Sequence, residues 1–276
     1  MTERSHFAPE VLAALFEAVE MDDVVDPVVS LPDPIPVACD SLEMRRCAEM
    51  CLQFWCEGAI RSDLVALTAT LLLTGDLPPD ARRRYKLIRA RYKHLRFALV
   101  LYGVRHRAPA LFRITVEVMG HLQDAYRNRR RVAVLAYALA LRLLVSSPMW
   151  WAVQREVAGV RLDDAQGFLR FRRNEMQRLA QWLGDDKLTA HRFHAMRKIV
   201  SRLVSFYDTR RCLQPDERAF CMSRFLSAIN GLMGNLHDDL VESAIAGRQD
   251  YHRDAFVLPE DIRSRLHALT QAYPMA

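Results

Sequence analysis

An all-α fold is predicted by three features of the chain. Apolar residues recur at helical spacing in long Leu- and Ala-rich stretches, no run of alternating β-branched residues reads as a strand, and only ten glycines occur in 276 residues. The 51% hydrophobic content is ordinary for a soluble globular protein, and a chain of this length can bury one large core or two small ones.

The first forty residues divide into an amphipathic helix near Pro9 to Met21 and an acidic, Pro-punctuated segment from Asp22 to Asp40. Proline fixes φ and lacks an N–H, so the Pro32-Asp-Pro34-Ile-Pro36 run is expected to be extended, as a tail or a strap over the body. From Ser41 onward helices are expected near 42–57, 61–74, 81–104, 109–128, 131–146, 148–159, 163–183, 188–208, 216–246 and 259–272. Gly75-Asp-Leu-Pro78-Pro79, Pro109, Ser147-Pro148, Gly184-Asp-Asp, Pro215-Asp-Glu and Pro259-Glu-Asp mark the breaks. Several of these supply Asp or Ser for an N-cap, and proline suits a first helical turn, where its missing N–H is not needed. Short loops make the neighbours antiparallel, which gives a first helical bundle over 41–165 and a second over 166–276. Leu64 to Leu73 is too short to span a bilayer and Val132 to Val145 contains Arg142, so both read as core helices and no membrane span is expected.

The net charge of +6 understates the basicity of the helical part. Residues 1–40 hold nine Asp or Glu against one Arg, and removing that −8 leaves +14 on residues 41–276. Such a field favours nucleic acid, anionic lipid, polyphosphate or an acidic protein, although basic surfaces also occur where no polyanion binds. The six cysteines (Cys39, Cys47, Cys51, Cys56, Cys212, Cys221) form no paired C-x-x-C ligand sets and no secretory signal opens the chain. A reduced, cytoplasmic setting is the simpler expectation. Cys47 and Cys51 share a helical face, but no second ligand pair accompanies them, so buried free thiols are expected in place of a metal site. No Walker loop, Gly-rich dinucleotide turn or G-x-S-x-G appears, and neither a cofactor nor catalysis is expected.

One pattern occurs twice, about a hundred residues apart. Lys86-Leu-Ile-Arg89-Ala-Arg-Tyr-Lys93-His94-Leu-Arg96 leads to Met119-Gly120-His-Leu122-Gln-Asp124, and His194-Ala-Met-Arg197-Lys198-Ile-Val-Ser-Arg202-Leu203 leads to Met233-Gly234-Asn-Leu236-His237-Asp238. At about 100° per residue, Arg82, Lys86, Arg89, Lys93 and Arg96 fall within an arc of roughly 80° beside the apolar stripe of Ile88, Tyr92, Leu95, Leu99 and Tyr102. In the second copy Lys187, His191, His194, Arg197, Lys198 and Arg202 occupy a broader arc, and Ser201 and Val204 stand where the first has Lys93 and Arg96. Met196, Val200, Leu203 and Tyr207 form its apolar stripe. A solvated helix face normally mixes signs, because like charges four residues apart repel, yet no carboxylate lies between Ala81 and Val116. A stripe that accepts this repulsion suits a multivalent anion, with Arg forks on phosphate oxygens and Lys or protonated His adding charge. The candidate ligand-binding residues are therefore Arg82, Lys86, Arg89, Lys93, Arg96, His194, Arg197, Lys198 and Arg202. Further basic clusters at Arg105-His-Arg107, Arg127-Asn-Arg129-Arg130-Arg131, Arg170-Phe-Arg172-Arg173 and Arg210-Arg211 read mainly as helix ends that complement the macrodipole.

The doubled pattern over about residues 81–246 resembles CHAD domains, which carry repeated H-x-x-R-x-x-x-[KR]-x-[LI]-R helices, each followed by a helix ending in L-G-x-L-x-D. Lys86 stands in the histidine place of the first copy, whereas His194 and Arg197 keep the second. The resemblance implies two pseudo-symmetric antiparallel helical bundles around a basic central groove and binding of inorganic polyphosphate. It would place Lys86, Arg89, Lys93, Arg96, His194, Arg197 and Arg202 along that groove. Gly120 and Gly234 also have a plain packing role, and Asp124 and Asp238 that of orienting a basic side chain or capping a helix.

Two other readings compete with a non-catalytic polyanion binder. His194, His237-Asp238 and a later Asp250 or Asp254 follow the order of helical HD-type metal-dependent phosphohydrolases, although the His-Asp pair coincides with Gln123-Asp124 of the first copy. A nucleic-acid or acidic-protein binding module fits the basic faces, but no DNA- or RNA-reading motif is present. The acidic tail, lying over the basic face, would compete with a polyanion, so a chain starting at Ser41 would bind more tightly. The oligomeric state is left open.

Overall fold

The computed structural model describes residues 6–22, 24–26, 28–251 and 253–275. Among them the chain is all-α: eleven helices and one pair of two-residue strands. The helices are α1 (Pro9–Glu20), α2 (Ser41–Gly58), α3 (Arg61–Thr74), α4 (Pro79–Tyr102), α5 (Ala110–Arg127), α6 (Arg131–Leu144), α7 (Ser147–Ala158), α8 (Ala165–Leu183), α9 (Ala190–Leu213), α10 (Glu217–Ile245) and α11 (Glu260–Ala272). Their ends follow the local chemistry. Pro9, Pro79 and Pro148 lie in first turns, and Gly75 closes α3 at φ 76°, a left-handed conformation that suits glycine. Asp164, Thr189 and Asp216 cap α8, α9 and α10 by accepting the backbone N–H of Gly167, Arg192 and Arg218.

Two local expectations are corrected. Leu188 and Thr189 do not open a helix; they form β1 (Leu188–Thr189), antiparallel to β2 (Ala255–Phe256), and this leaves Thr189 extended and able to cap α9. Helix α9 also continues past 208 to Leu213. Its last turns are held from outside, because Arg210 donates Nη1 to the carbonyls of Pro36 and Ala38 at 2.9 and 2.8 Å and pairs Nε with Glu43 at 3.0 Å.

The chain divides into two compact units. One holds His6 and Ala48–Asp163; the other holds the described residues of 7–47 and 164–275. In the first, Trp55 is central: Tyr92 and Phe112 meet its ring edge-on at 5.6 and 5.7 Å, and Trp150 stacks on it at 5.8 Å. Gly58 leaves room for the Arg91 guanidinium, which lies 4.7 Å over the Phe54 ring and would have to shift to admit a Cβ there.

In the second unit α9 and α10 pack along a buried seam of small polar side chains. Ser201 donates to Asn230 Oδ1 at 2.7 Å, and Ser223 to Asp208 at 2.5 Å. Short hydroxyl side chains let the two helices approach while bonding to each other. Arg172, in a cluster expected at a helix end, is instead in the core of this unit. Its guanidinium is 4.3 Å over the Phe206 ring, with Phe168, Tyr207 and Tyr273 around it.

The N-terminal segment is a strap on the second unit. Helix α1 buries Leu12, Leu15 and Ala18 and packs on α9. Beyond it the attachments run mostly through backbone carbonyls: Met21 accepts from Arg224, Asp22 from Asn230, and Pro36 from Tyr207 and Arg210. The side chains of Glu10, Glu17, Glu20 and Asp33 are exposed.

Candidate anion-binding site

In the first unit the basic stripe lies on α4, and α5 supplies the floor beneath part of it. Tyr85, fully buried, donates its hydroxyl to the Met119 carbonyl at 2.9 Å and so fixes α4 against α5 just before Gly120. One turn along α4, Arg89 lies over Gly120: a Cβ there would be 3.2 Å from Arg89 Nη2. Tyr126 closes the cluster, with Tyr85 edge-on to its ring at 5.7 Å and the Arg82 guanidinium 5.9 Å from its centroid. Burial pushes the Tyr126 hydroxyl up to about 12, against the opposing influence of Arg89 and Arg82. It therefore stays a neutral donor at physiological pH.

The stripe is not uniform. Arg82 pairs with Asp76 and donates Nε to the Leu77 carbonyl at 2.8 Å, so it ties down the loop before α4. Lys93 lies 5.6 Å over the Phe97 ring, and it and Arg96 are half-buried. Lys86 is exposed. Neither Lys86 nor Arg89 forms a salt bridge among the described residues, and the buried Arg89 Nε has no hydrogen-bond partner among them.

The second unit repeats one contact and alters its surroundings. Arg197 lies over Gly234, where a Cβ would be 3.0 Å from its Nη2. His194 sits beside His237, ring centroids 5.2 Å apart, and the Tyr251 hydroxyl is 3.2 Å from His237 Nε2. Burial raises the Tyr251 pKa and the nearby Arg197 opposes it. Asp238 Oδ1 is 3.6 Å from His237 Nδ1. Lys198 is half-buried on the following turn.

Arg202 does not share this surface. It forms a nearly buried, two-pronged ion pair with Glu175 of α8, one bond of which measures 3.2 Å. Its charge is thereby committed to joining α8 to α9. Ser201 and Val204, in the places of Lys93 and Arg96, are buried, so the second stripe ends where α9 enters its unit's interior. The exposed Lys187 and His191 precede α9 or open it.

The repeated Arg-over-Gly contact gives both motif glycines a reason to be glycine. In a helix interior Gly costs about 1 kcal/mol relative to Ala, and here the added methyl would meet the tip of a flexible side chain. We expect Gly120→Ala and Gly234→Ala to keep the urea unfolding midpoint or raise it, with a gain in unfolding free energy of up to about 1 kcal/mol, while displacing the guanidinium. A lowered midpoint would make the contact a packing device alone.

Tyr126, Tyr251 and Glu175 were not among the candidates. Tyr126 follows the L-x-D element by two residues and was legible as its neighbour; Tyr251 sits in a loop and Glu175 on another helix, with no local signal. Among the described residues no group of three or more His, Cys, Asp or Glu side chains is placed to hold a metal ion. Compared with protein-family models, with curated proteins and with solved structures, the chain finds no match.

Proposed function

We propose that this protein is a non-catalytic polyanion binder and a divergent relative of CHAD domains, taking inorganic polyphosphate or a similar phosphate-rich chain. The observation that carries the reading is Arg89: a half-buried guanidinium held over Gly120, without a carboxylate partner among the described residues, in a stripe with Lys86, Lys93 and Arg96. Its fork suits phosphate oxygens, Tyr126 adds a neutral hydroxyl beside it, and the neighbouring cations supply charge at the spacing of successive helical turns. Arg197 over Gly234, with His194, supports a second contact of the same chemistry. The two related bundles and the basic groove implied by the resemblance belong to the same proposal, which the doubled Arg-over-Gly contact supports.

Binding isotherms for long-chain polyphosphate at rising salt test it. With four phosphates neutralised, affinity is expected to fall on the order of a hundredfold between 50 and 200 mM salt, by analogy with the counterion release seen for DNA. Polyphosphate should displace nucleic acid, and the reverse ranking would favour a nucleic-acid module.

The adjacency of His194 and His237 favours one alternative, an HD-type phosphohydrolase. Stoichiometric divalent metal in the purified protein, together with phosphatase activity lost in His237→Ala, would establish it.

A further inference from the structure

Helix α6 presents an apolar face to solvent. Val132, Leu139 and Leu143 are 82%, 63% and 67% exposed, and Leu135 is exposed between them. At about 100° per residue these four fall within roughly 80° of arc, away from the face where Val134, Ala138 and Leu141 enter the core. The stretch expected as a core helix is thus buried on one side only. Near its start lies Leu73, two residues before the Gly75 that Arg131 runs alongside, and it is 87% exposed. After its end, on α7, Trp151 is 59% exposed with the Arg155 guanidinium 5.3 Å over its ring.

The helix and the residues that lead into it carry basic charge only, while Asp76, which acts on Arg129, is paired with Arg82. Helix α6 contains Arg131 and Arg142 and no carboxylate, and exposed Arg127, Arg129 and Arg130 lead into it. Both α6 arginines lie at the same edge of the apolar arc, near Leu135. A second copy is disfavoured as the occupant. If two α6 helices paired antiparallel through this stripe, Arg131 of each would lie along the same edge as Arg142 of the other, with no carboxylate on α6 to offset them. A surface that is apolar in depth and anionic at its face fits both features. Among the described residues no single helix is long and apolar enough to cross a membrane, and α6 and α7 are bent by 69° at their break, so this face would lie on a bilayer without spanning it.

We propose that the α6 face, with Trp151 and its arginine rim, is a docking surface for an anionic lipid membrane. The aliphatic side chains enter the boundary between headgroups and acyl chains, Trp151 sits at the interface, and the arginines contact anionic headgroups. The inference rests on residues distinct from the α4 stripe.

Flotation of the full chain with phosphatidylcholine vesicles, with and without phosphatidylserine, tests it. Binding is expected to the phosphatidylserine vesicles, weakened by salt, with a blue shift of tryptophan emission that Trp151→Phe removes. Leu139→Asp with Leu143→Asp, both at exposed positions and so compatible with folding, should lower vesicle partitioning by about tenfold or more. Lys86→Glu should leave it largely unchanged. No binding to phosphatidylserine vesicles would overturn the proposal. So would binding abolished by Lys86→Glu but kept by the aspartate pair, since the α4 stripe would then be the contact. A dimer in sedimentation that the aspartate pair converts to monomer, without vesicle binding, would assign the face to a second copy and also overturn it.

Discussion

If the α4 stripe holds polyphosphate as proposed, replacing Arg89 and Arg96 together by Glu is expected to lower the affinity by about a hundredfold or more at low salt, because two cations become two anions inside a stripe of like charge. Surface charges several residues apart are screened over about 8 Å at physiological salt, so the loss shrinks as salt rises while the variant remains the weaker binder. Helicity should be retained, since Glu is a good helix former and α4 is held mainly by Tyr85, Ile88, Tyr92 and Leu95. Arg89 is half-buried beside Tyr126, however, and a carboxylate there has some folding cost. Lys86→Glu, at an exposed position, supplies the same test without that cost and is expected to weaken binding by a smaller factor. Circular dichroism, urea melts and isotherms on both variants decide the matter. Unchanged affinity in both removes α4 from the site.

Starting the chain at Ser41 lowers the stability of the second unit by several kcal/mol, a large fraction of the 5–15 kcal/mol typical of a domain. The deletion removes Leu12 and Leu15, worth roughly 1.5–3 kcal/mol each when fully buried, from the surface of α9. It also takes the Pro36 and Ala38 carbonyls from Arg210, and Asp40, whose Oδ1 accepts the Glu43 N–H at 2.7 Å at the start of α2. Thermal melts should show an earlier transition, with exposed apolar surface reported by dye binding. An unshifted melt would show that the strap contributes nothing to folding. Tighter polyanion binding by this shortened chain would not by itself show electrostatic competition, because a loosened second unit exposes new basic surface. Neutralising the exposed Glu10, Glu17 and Asp33 to their amides isolates the charge, and these changes should leave the melt unaltered.

Helix identity was readable because its determinants are local. Pro79, Gly75, Asp164 and Asp216 act within a turn of where they stand, and the predicted limits of α3 were met at both ends. Where a distant contact decided, the reading missed. Arg210 extends α9 by reaching the strap, and Leu188 pairs with Phe256 nearly seventy residues later, separations that no window of neighbouring residues contains. Periodicity also placed α6 correctly but misjudged its surroundings. A helix apolar on both sides reads as core from composition, and only its neighbours determine which side is covered.

The basic stripe shows the same division more finely. From the sequence alone came the helices, the doubled order of motifs and the positions of nine candidate cations, since all of these depend on spacing along the chain. That Arg82 and Arg202 are committed to ion pairs was decided by tertiary structure. Asp76 engages Arg82 and Glu175 engages Arg202 from separate elements, while Gly120 and Gly234 make room for Arg89 and Arg197 from helices that fold back on them. Charge is a property of a residue, but its availability depends on what packs beside it.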